Sequence, residues 1–460
     1  FILIKVLIAL IVIVSPVQFD TSSQLIINSS TILNEKSTFL SNFDNVPGLK
    51  IIIKYLIENL FDKLMVWDAV YFCKLFQNGI EFEHEWVFGP LWWRFIKNFD
   101  SYLISILRFV KNFVVISIDF EKVSNIYDNF YSKLITSVII TNLCHYLSCI
   151  IIYDLTAVTF KKNSLFKRCF KLNMPLKSSL LLVLSPSGIF LFAPYSEALS
   201  CLISILAIYF REVSMLLTTH SYLVSIPRFQ SVFKILLYVI SGTLVSIGLM
   251  IRSNLLLLGI FYLYDLYEFL RFRKFLNSII SLITGLQVFI SLVILNYISY
   301  IEYCPQRDKW CSTIDKSLIK FAQSYYWDNG FLKYWSINNI PNFLIVLPIL
   351  VLFISSIRHF SNRYYCLNLN PMILIAKVYL FLGIFFWNIQ ILIRISCFLP
   401  ISIWYLADKL NLTIERQKKT GKLYKNSKKF TINTENLFIF WLFSWIMIQS
   451  SLFASFLPPA

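Results

Sequence analysis

Between Phe275 and Ile298 the chain carries no Lys, Arg, Asp or Glu. A helix rises ~1.5 Å per residue and the hydrocarbon core of a bilayer is ~30 Å thick, so an uncharged, mostly apolar run of this length is suited to cross it. Runs of this kind recur along the sequence. Membrane-spanning helices are expected near 1–17, 133–159, 175–193, 197–212, 232–251, 254–270, 275–298, 342–357, 371–391, 393–408 and 435–457. The expected fold class is therefore an all-α polytopic membrane protein with about eleven transmembrane helices. Composition agrees: 57% of residues are apolar and only 15% charged, unlike a soluble domain. Residues 101–118 read instead as an amphipathic helix lying on the membrane, because Arg108 and Lys111 interrupt the apolar pattern.

A net charge of +17 raises the possibility of a nucleic-acid partner. The placement of the charge argues for a membrane and against nucleic acid. With the first residue on the cytosolic side, Lys and Arg concentrate in 160–174, 213–231, 271–274, 358–370 and 409–434, all cytosolic. Mixed or acidic segments fall on the luminal side, as positive-inside sorting requires. The expected organisation is a first transmembrane helix at 1–17, a luminal segment at 18–132 and a transmembrane bundle at 133–298. A luminal loop at 299–341 and a C-terminal bundle at 342–460 follow, the latter with the basic cytosolic loop 409–434. The first apolar run also fits a signal peptide, but the charge alternation comes out consistently when it is kept as a span. Of the two glycosylation sequons, Asn28 falls in the lumen and Asn411 in the cytosol, so only Asn28 is expected to carry glycan.

The candidate functional side chains collect on the luminal side. Trp67 and Asp68 lie in the first long luminal segment, followed by Glu81, Glu83, His84 and Glu85. Tyr195, Ser196 and Glu197 stand at a luminal helix end, and Gln390 and Arg394, one helical turn apart, lie near the ends of two late spans. Polar groups placed at membrane spans are costly and usually serve a site, and these are expected to share one cavity. Cys304 and Cys311 occupy one polar loop. In an oxidising lumen they can form a disulfide; otherwise they are two free thiols. Trp327 and Trp335 fit stacking on sugar rings or membership of an interfacial aromatic belt.

Five segments, in order, carry a resemblance. They are WDAVYF…NGIEFEHEWVFGPLW (67–92), SPSGIFLFAPYSEAL (185–199), IRSN (251–254), YCPQRDKWC…YYWDNGFLKYW (303–335) and QILIRISCFLPISIWY (390–405). Together they resemble the PIG-V family of mannosyltransferases, the GPI mannosyltransferase 2 family. Asn388 departs from the histidine expected there, and Gly89 interrupts the aromatic run before Pro90. The resemblance implies a GT-C type enzyme of the endoplasmic-reticulum membrane with a luminal active site. Such an enzyme takes mannose from dolichol-phosphate-mannose and adds it, α-1,6-linked, as the second mannose of the glycosylphosphatidylinositol precursor. Its partners are those two lipids, the membrane and a small membrane subunit; no cofactor is implied.

Conversion of a β-linked donor to an α-linked product implies inversion, with one carboxylate as base and no covalent intermediate. Asp68 is the expected base, against the alternative of a helix cap beside an interfacial tryptophan. Trp67, Glu85, Glu197, Arg252, Gln390, Arg394, Trp327 and Trp335 are the expected substrate contacts. Arg252 and Arg394 are the candidates for the donor phosphate, as against arginines that merely snorkel. The sequence has no Asp-x-Asp, and no metal site is expected, since cationic side chains suit a single phosphate. Two rivals remain: another dolichol-phosphate-dependent mannosyltransferase of lipid-linked oligosaccharide assembly, and a transporter or non-catalytic subunit.

Overall fold

A computed structural model of the 460-residue chain describes residues 1–111, 129–160, 173–219, 228–306, 308–313, 316–363, 369–419 and 434–458. The described residues are helical throughout their regular structure, with no strand among them. Most of each of the basic segments 160–174 and 409–434 used for the topology above lies outside the described residues.

Among the described residues, six helices are long and apolar enough to cross a membrane: Phe130–Phe160, Glu197–Met215, Val232–Leu249, Phe275–Tyr303, Ile337–Asn362 and Glu435–Ala454. A seventh is available if Ile391–Phe398 and Ile401–Thr413, which meet at a 75° bend, count as one span. The expected eleven is thus not reached by length. Ile2–Val14, Met174–Val183 and Asn370–Phe385 are apolar but short. The expected span 254–270 holds a 3-10 turn, Ser253–Leu258, and a helix, Gly259–Arg271, that carries Asp265 and Glu268. Proline and glycine explain two of the interruptions. Pro186 and Gly188 end the run expected at 175–193, and Pro400 stands at the bend inside 393–408, where it can donate no backbone hydrogen bond.

The chain forms two compact units. The first comprises Phe1–Cys144, Gly188–Ala198 and Trp445–Pro459. It contains α1 (Ile2–Val14), α2 (Asp68–Asn78) and α3 (Pro90–Lys111) and the first part of α4 (Phe130–Phe160). The last carbonyls of a helix have no partner inside it; Lys63 Nζ reaches back to Ile13 O at 3.0 Å and Ser15 O at 2.6 Å at the end of α1. Gly79 ends α2 at φ +76°, and Gly89 precedes Pro90 at φ +79°. Glycine adopts this left-handed region without penalty, so the residue that interrupts the aromatic run is the one that lets the chain turn into α3.

The second unit comprises His145–Ser187 and Leu199–Ser444. Its helices are the rest of α4, α5 (Met174–Val183), α6 (Glu197–Thr219, from Leu199), α7 (Arg228–Leu249), α8 (Gly259–Arg271), α9 (Phe275–Tyr303), α10 (Ile340–Arg363), α11 (Asn370–Phe385) and α12 (Ile401–Lys419). The start of α13 (Thr434–Ala454) belongs to it as well. Close helix approach in lipid relies on small residues. A Cβ at Gly242 of α7 would lie 2.3 Å from Thr284 Cγ2 of α9, so only glycine permits the contact observed.

Candidate active site

In the first unit the chain makes a constrained turn before α2. Trp67 sits at φ +55°, ψ −130°, a backbone region that side chains rarely occupy and that the surroundings must enforce. The enforcing contacts are present. Trp67 Nε1 donates to Leu457 O at 3.3 Å, and its ring lies 5.3 Å from Phe456. The buried Tyr195 donates its hydroxyl to Val66 O at 3.0 Å, and Ala69 N donates to the same carbonyl at 3.0 Å. Asp68 is therefore the first residue of α2, half-buried, directly after a pinned turn. Tyr71, one turn on, has its phenol pushed up by burial, and the nearby Asp68 and Glu85 charges add to the shift.

The acidic cluster resolves into distinct jobs. Glu85 is buried; its Oε2 accepts from Glu81 N at 2.9 Å and Phe82 N at 3.0 Å, and its Oε1 lies 3.2 Å from Lys74 Nζ. Both oxygens are thus engaged within the protein, where they hold the 79–85 turn. Lys74 also pairs with Glu81 at 2.7 Å. Glu81 is held below the usual carboxylate range by its hydrogen bonds from Lys74 and Asn78. Burial pulls the Lys74 ammonium down, but its hydrogen bonds to Glu81 and Glu85 outweigh this and leave it raised. His84 stacks on Phe82 and meets Tyr71 edge-on, with ring centres 5.7 Å apart in each case. Glu197 is buried at the first position of α6.

In the second unit, the two late motifs come together. Cys304 and Cys311 are joined, with Cα atoms 5.9 Å apart, and the Cys304–Pro305 peptide is cis. The loop after them returns to the end of α11. Gly330 N donates to Phe386 O at 2.9 Å, Leu332 N to Phe385 O at 2.7 Å and Trp335 Nε1 to Ile384 O at 2.8 Å. These are the carbonyls that a helix C-terminus leaves open, and the aromatic loop closes them. Gln390 Nε2 donates to Asn342 Oδ1 at 2.8 Å, whose own Nδ2 donates to Tyr334 OH at 2.7 Å. Asn388, in the place expected of a histidine, donates its backbone N–H to Asn329 Oδ1 at 3.1 Å. Trp335 remains 54% exposed despite its anchored indole, and Trp327 is half-buried beside Tyr326. Arg394 ends the short helix Ile391–Arg394 and is half-buried; Arg252 is half-buried at the start of the 3-10 turn Ser253–Leu258.

Trp67, Asp68, Glu85 and Glu197 thus belong to the first unit, and Arg252, Trp327, Trp335, Gln390, Arg394 and the disulfide to the second. Sequence reasoning overlooked a buried ionic cluster in the second unit. Arg211 of α6 forms a bidentate pair with Asp265 of α8, with Nε–Oδ2 at 2.8 Å, and its Nη1 lies 2.6 Å from Glu212 Oε1. Tyr238 of α7 donates to the same Asp265 oxygen at 2.8 Å. The available signal was an Arg-Glu and an Asp inside otherwise apolar helices. Among the described residues no three His, Cys, Asp or Glu side chains gather in the way that would hold a metal ion.

The mannosyltransferase (PIG-V) family matches the chain over residues 1–133, 121–370 and 362–460. A GPI mannosyltransferase 2 of Candida albicans is 37% identical to it over 469 residues, covering 100% of this chain and 98% of the relative. The corresponding proteins of Saccharomyces cerevisiae and Eremothecium gossypii are 33% and 31% identical, again over 100% of this chain and 98% of the relative. No solved structure matches.

Proposed function

The chain belongs to the mannosyltransferase (PIG-V) family, and from that membership we propose that it adds the second, α-1,6-linked mannose to the glycosylphosphatidylinositol precursor, taking it from dolichol-phosphate-mannose. Similarity running over the whole chain to relatives named GPI mannosyltransferase 2 is the observation that carries this reading. It also argues against the lipid-linked-oligosaccharide, transporter and non-catalytic readings. The protein works as a multi-pass enzyme of the endoplasmic-reticulum membrane, with the reaction on the luminal side, a GT-C architecture and about eleven membrane passes. Support for the higher count comes from residues 185–196, all of which are buried although none of them is in an α-helix. Irregular backbone at membrane depth is tolerated where protein covers it.

In the reaction the acceptor hydroxyl attacks the anomeric carbon of the mannose, and the bond to the phosphate oxygen breaks. Asp68 takes the hydroxyl proton as attack proceeds, and dolichyl phosphate leaves with the bonding electrons. Its position after the pinned Trp67 turn fixes where the carboxylate can point, which a general base requires. Arg252 and Arg394 meet the growing charge on the phosphate, and Gln390, Glu197, Trp67, Trp327 and Trp335 contact the substrates. The donor supplies the activated sugar, and no cofactor takes part.

The test is Asp68→Asn in the full chain, assayed for mannose transfer to a one-mannose precursor. Loss of a general base lowers turnover by about 100- to 10,000-fold, with the protein still folded. Wild-type-like transfer by the stably expressed variant removes Asp68 as base. Depletion of the protein should in turn accumulate the one-mannose precursor; a mannose-free precursor places the enzyme one step earlier.

A further inference from the structure

We infer that Asn254 is a hydroxyl-binding residue for the mannose of the donor lipid, with its amide engaging the sugar beside Arg252 at the phosphate. This rests on the mannosyl-donor reading above. Asn254 lies in the 3-10 turn Ser253–Leu258 that follows α7, two residues beyond Arg252. Asn254 is 8% exposed, and neither its Nδ2 nor its Oδ1 has a hydrogen-bond partner. Buried polar groups in folded proteins are nearly always paired, so an idle amide requires an explanation.

Three other side-chain amides among the described residues bury an unmatched atom, and each employs its other end. Asn142 Nδ2 donates to Val138 O, Asn411 Oδ1 accepts from Lys177 Nζ, and Gln449 Oε1 accepts from Ile189 N. Asn254 alone of these is idle at both ends. A second unmatched group, the buried Ser246 Oγ, lies in the last turn of α7.

The local fold does not need the amide. The turn is closed by Leu255 N donating to Arg252 O at 3.2 Å. It packs through Leu255 against Gly248 of α7, where an added Cβ would come within 2.8 Å of Leu255 Cδ1. Apolar contact and backbone bonding therefore hold the turn while the amide does nothing for it.

Chemistry selects the ligand. An asparagine offers two N–H donors and a carbonyl acceptor. A phosphate only accepts; it would satisfy Nδ2 and leave Oδ1 facing negative charge. Neighbouring hydroxyls of a hexose both donate and accept, and so match both ends of the amide. Arginine only donates, which suits the phosphate. Arg252 and Asn254 together form a sugar-phosphate reader.

The experiment uses the purified full chain and compares thermal stabilisation by short-chain dolichyl phosphate mannose with that by the same lipid phosphate lacking the sugar. The variants are Asn254→Leu, close in shape but apolar, and Arg252→Ala. Asn254→Leu should melt at or above the wild-type temperature without ligand, because an unmatched buried amide has been replaced by a matched apolar group. It should lose the extra stabilisation due to the sugar, keep that due to the phosphate, and raise the donor KM about tenfold with the acceptor KM unchanged. Arg252→Ala should lose the response to the sugar-free lipid. An Asn254→Leu protein that keeps the sugar-dependent increment overturns the inference. So does one that melts below wild type without ligand, since the amide then has a partner inside the protein. A rise confined to the acceptor KM overturns the donor assignment. A wild-type chain that responds to neither lipid overturns the mannosyl-donor reading itself, and the role of Asn254 with it.

Discussion

Glu85→Ala separates two jobs for one carboxylate, sugar contact and turn support. In the structure Glu85 holds two backbone amides, at 2.9 and 3.0 Å, and the Lys74 ammonium at 3.2 Å, from a buried position. A hydrogen bond to a charged group contributes about 1.5–3 kcal/mol net. The freed amides belong to Glu81 and Phe82, both exposed residues, so water recovers part of the loss. Lys74, partly exposed, keeps Glu81 at 2.7 Å, and its share is small. The expected cost is about 3 kcal/mol, a large fraction of the roughly 5–15 kcal/mol that holds a folded domain. At ~2–4 °C per kcal/mol for a folding unit of 150–250 residues, the melting temperature should fall by roughly 6–12 °C. Thermal unfolding of the purified protein reads the first quantity, and mannose transfer by the fraction still folded reads the second. Transfer per folded molecule should stay within about twofold of wild type. A Glu85→Ala protein that melts normally but shows a tenfold higher KM for either substrate would refute turn support and favour the sugar contact.

Glycan should appear on Asn28 and not on Asn411. Asn28 is exposed at the end of the helix Ser22–Ile27, whereas Asn411 is buried in α12 with its Oδ1 held by Lys177 at 2.5 Å. Asn28→Gln should abolish the endoglycosidase-sensitive mobility shift and Asn411→Gln should not; a glycan on Asn411 inverts the topology. Arg211→Met, which strands the buried Asp265 and Glu212 carboxylates together, should cost about 3–5 kcal/mol in thermal unfolding, while Asp265→Asn, which leaves Arg211 its Glu212 partner, should cost clearly less. Equal costs would show that Glu212 does not hold the Arg211 charge once Asp265 is neutral. The Lys74–Glu81 link predicts a pH window for the 79–85 turn. The folded pKa of Glu81 is depressed, so its contribution is present above the unfolded value near ~4.3 and fades as pH falls through the folded one. Lys74 is raised, so its contribution is full below ~10.4 and fades as pH rises through the folded value. Limited proteolysis across pH should find the turn most protected between these limits, and Lys74→Met should flatten the profile.

Sequence alone determined the features that depend on near neighbours. Helical hydrogen bonds join residues four apart and hydropathy is a local sum, so Phe275–Tyr303, Val232–Leu249 and the other long spans were visible as apolar runs. Ordered motifs such as WDAVYF and IRSN likewise carried the family without any coordinates. Breaks inside apolar runs were harder, because Pro186 and Pro400 interrupt the helix while hydropathy continues past them. What tertiary structure decided was pairing across distance. His359 meets Asp408, 49 residues away, at 2.8 Å; Arg211 meets Asp265; and the loop from Gly330 to Trp335 closes the end of α11. The job of Glu85 became legible only once the turn beneath it was built, and the idleness of Asn254 only once its neighbours were in place. Whether a polar group is matched or unmatched is set by which distant segments packing brings within ~3 Å of it, and no local pattern in the sequence encodes that distance.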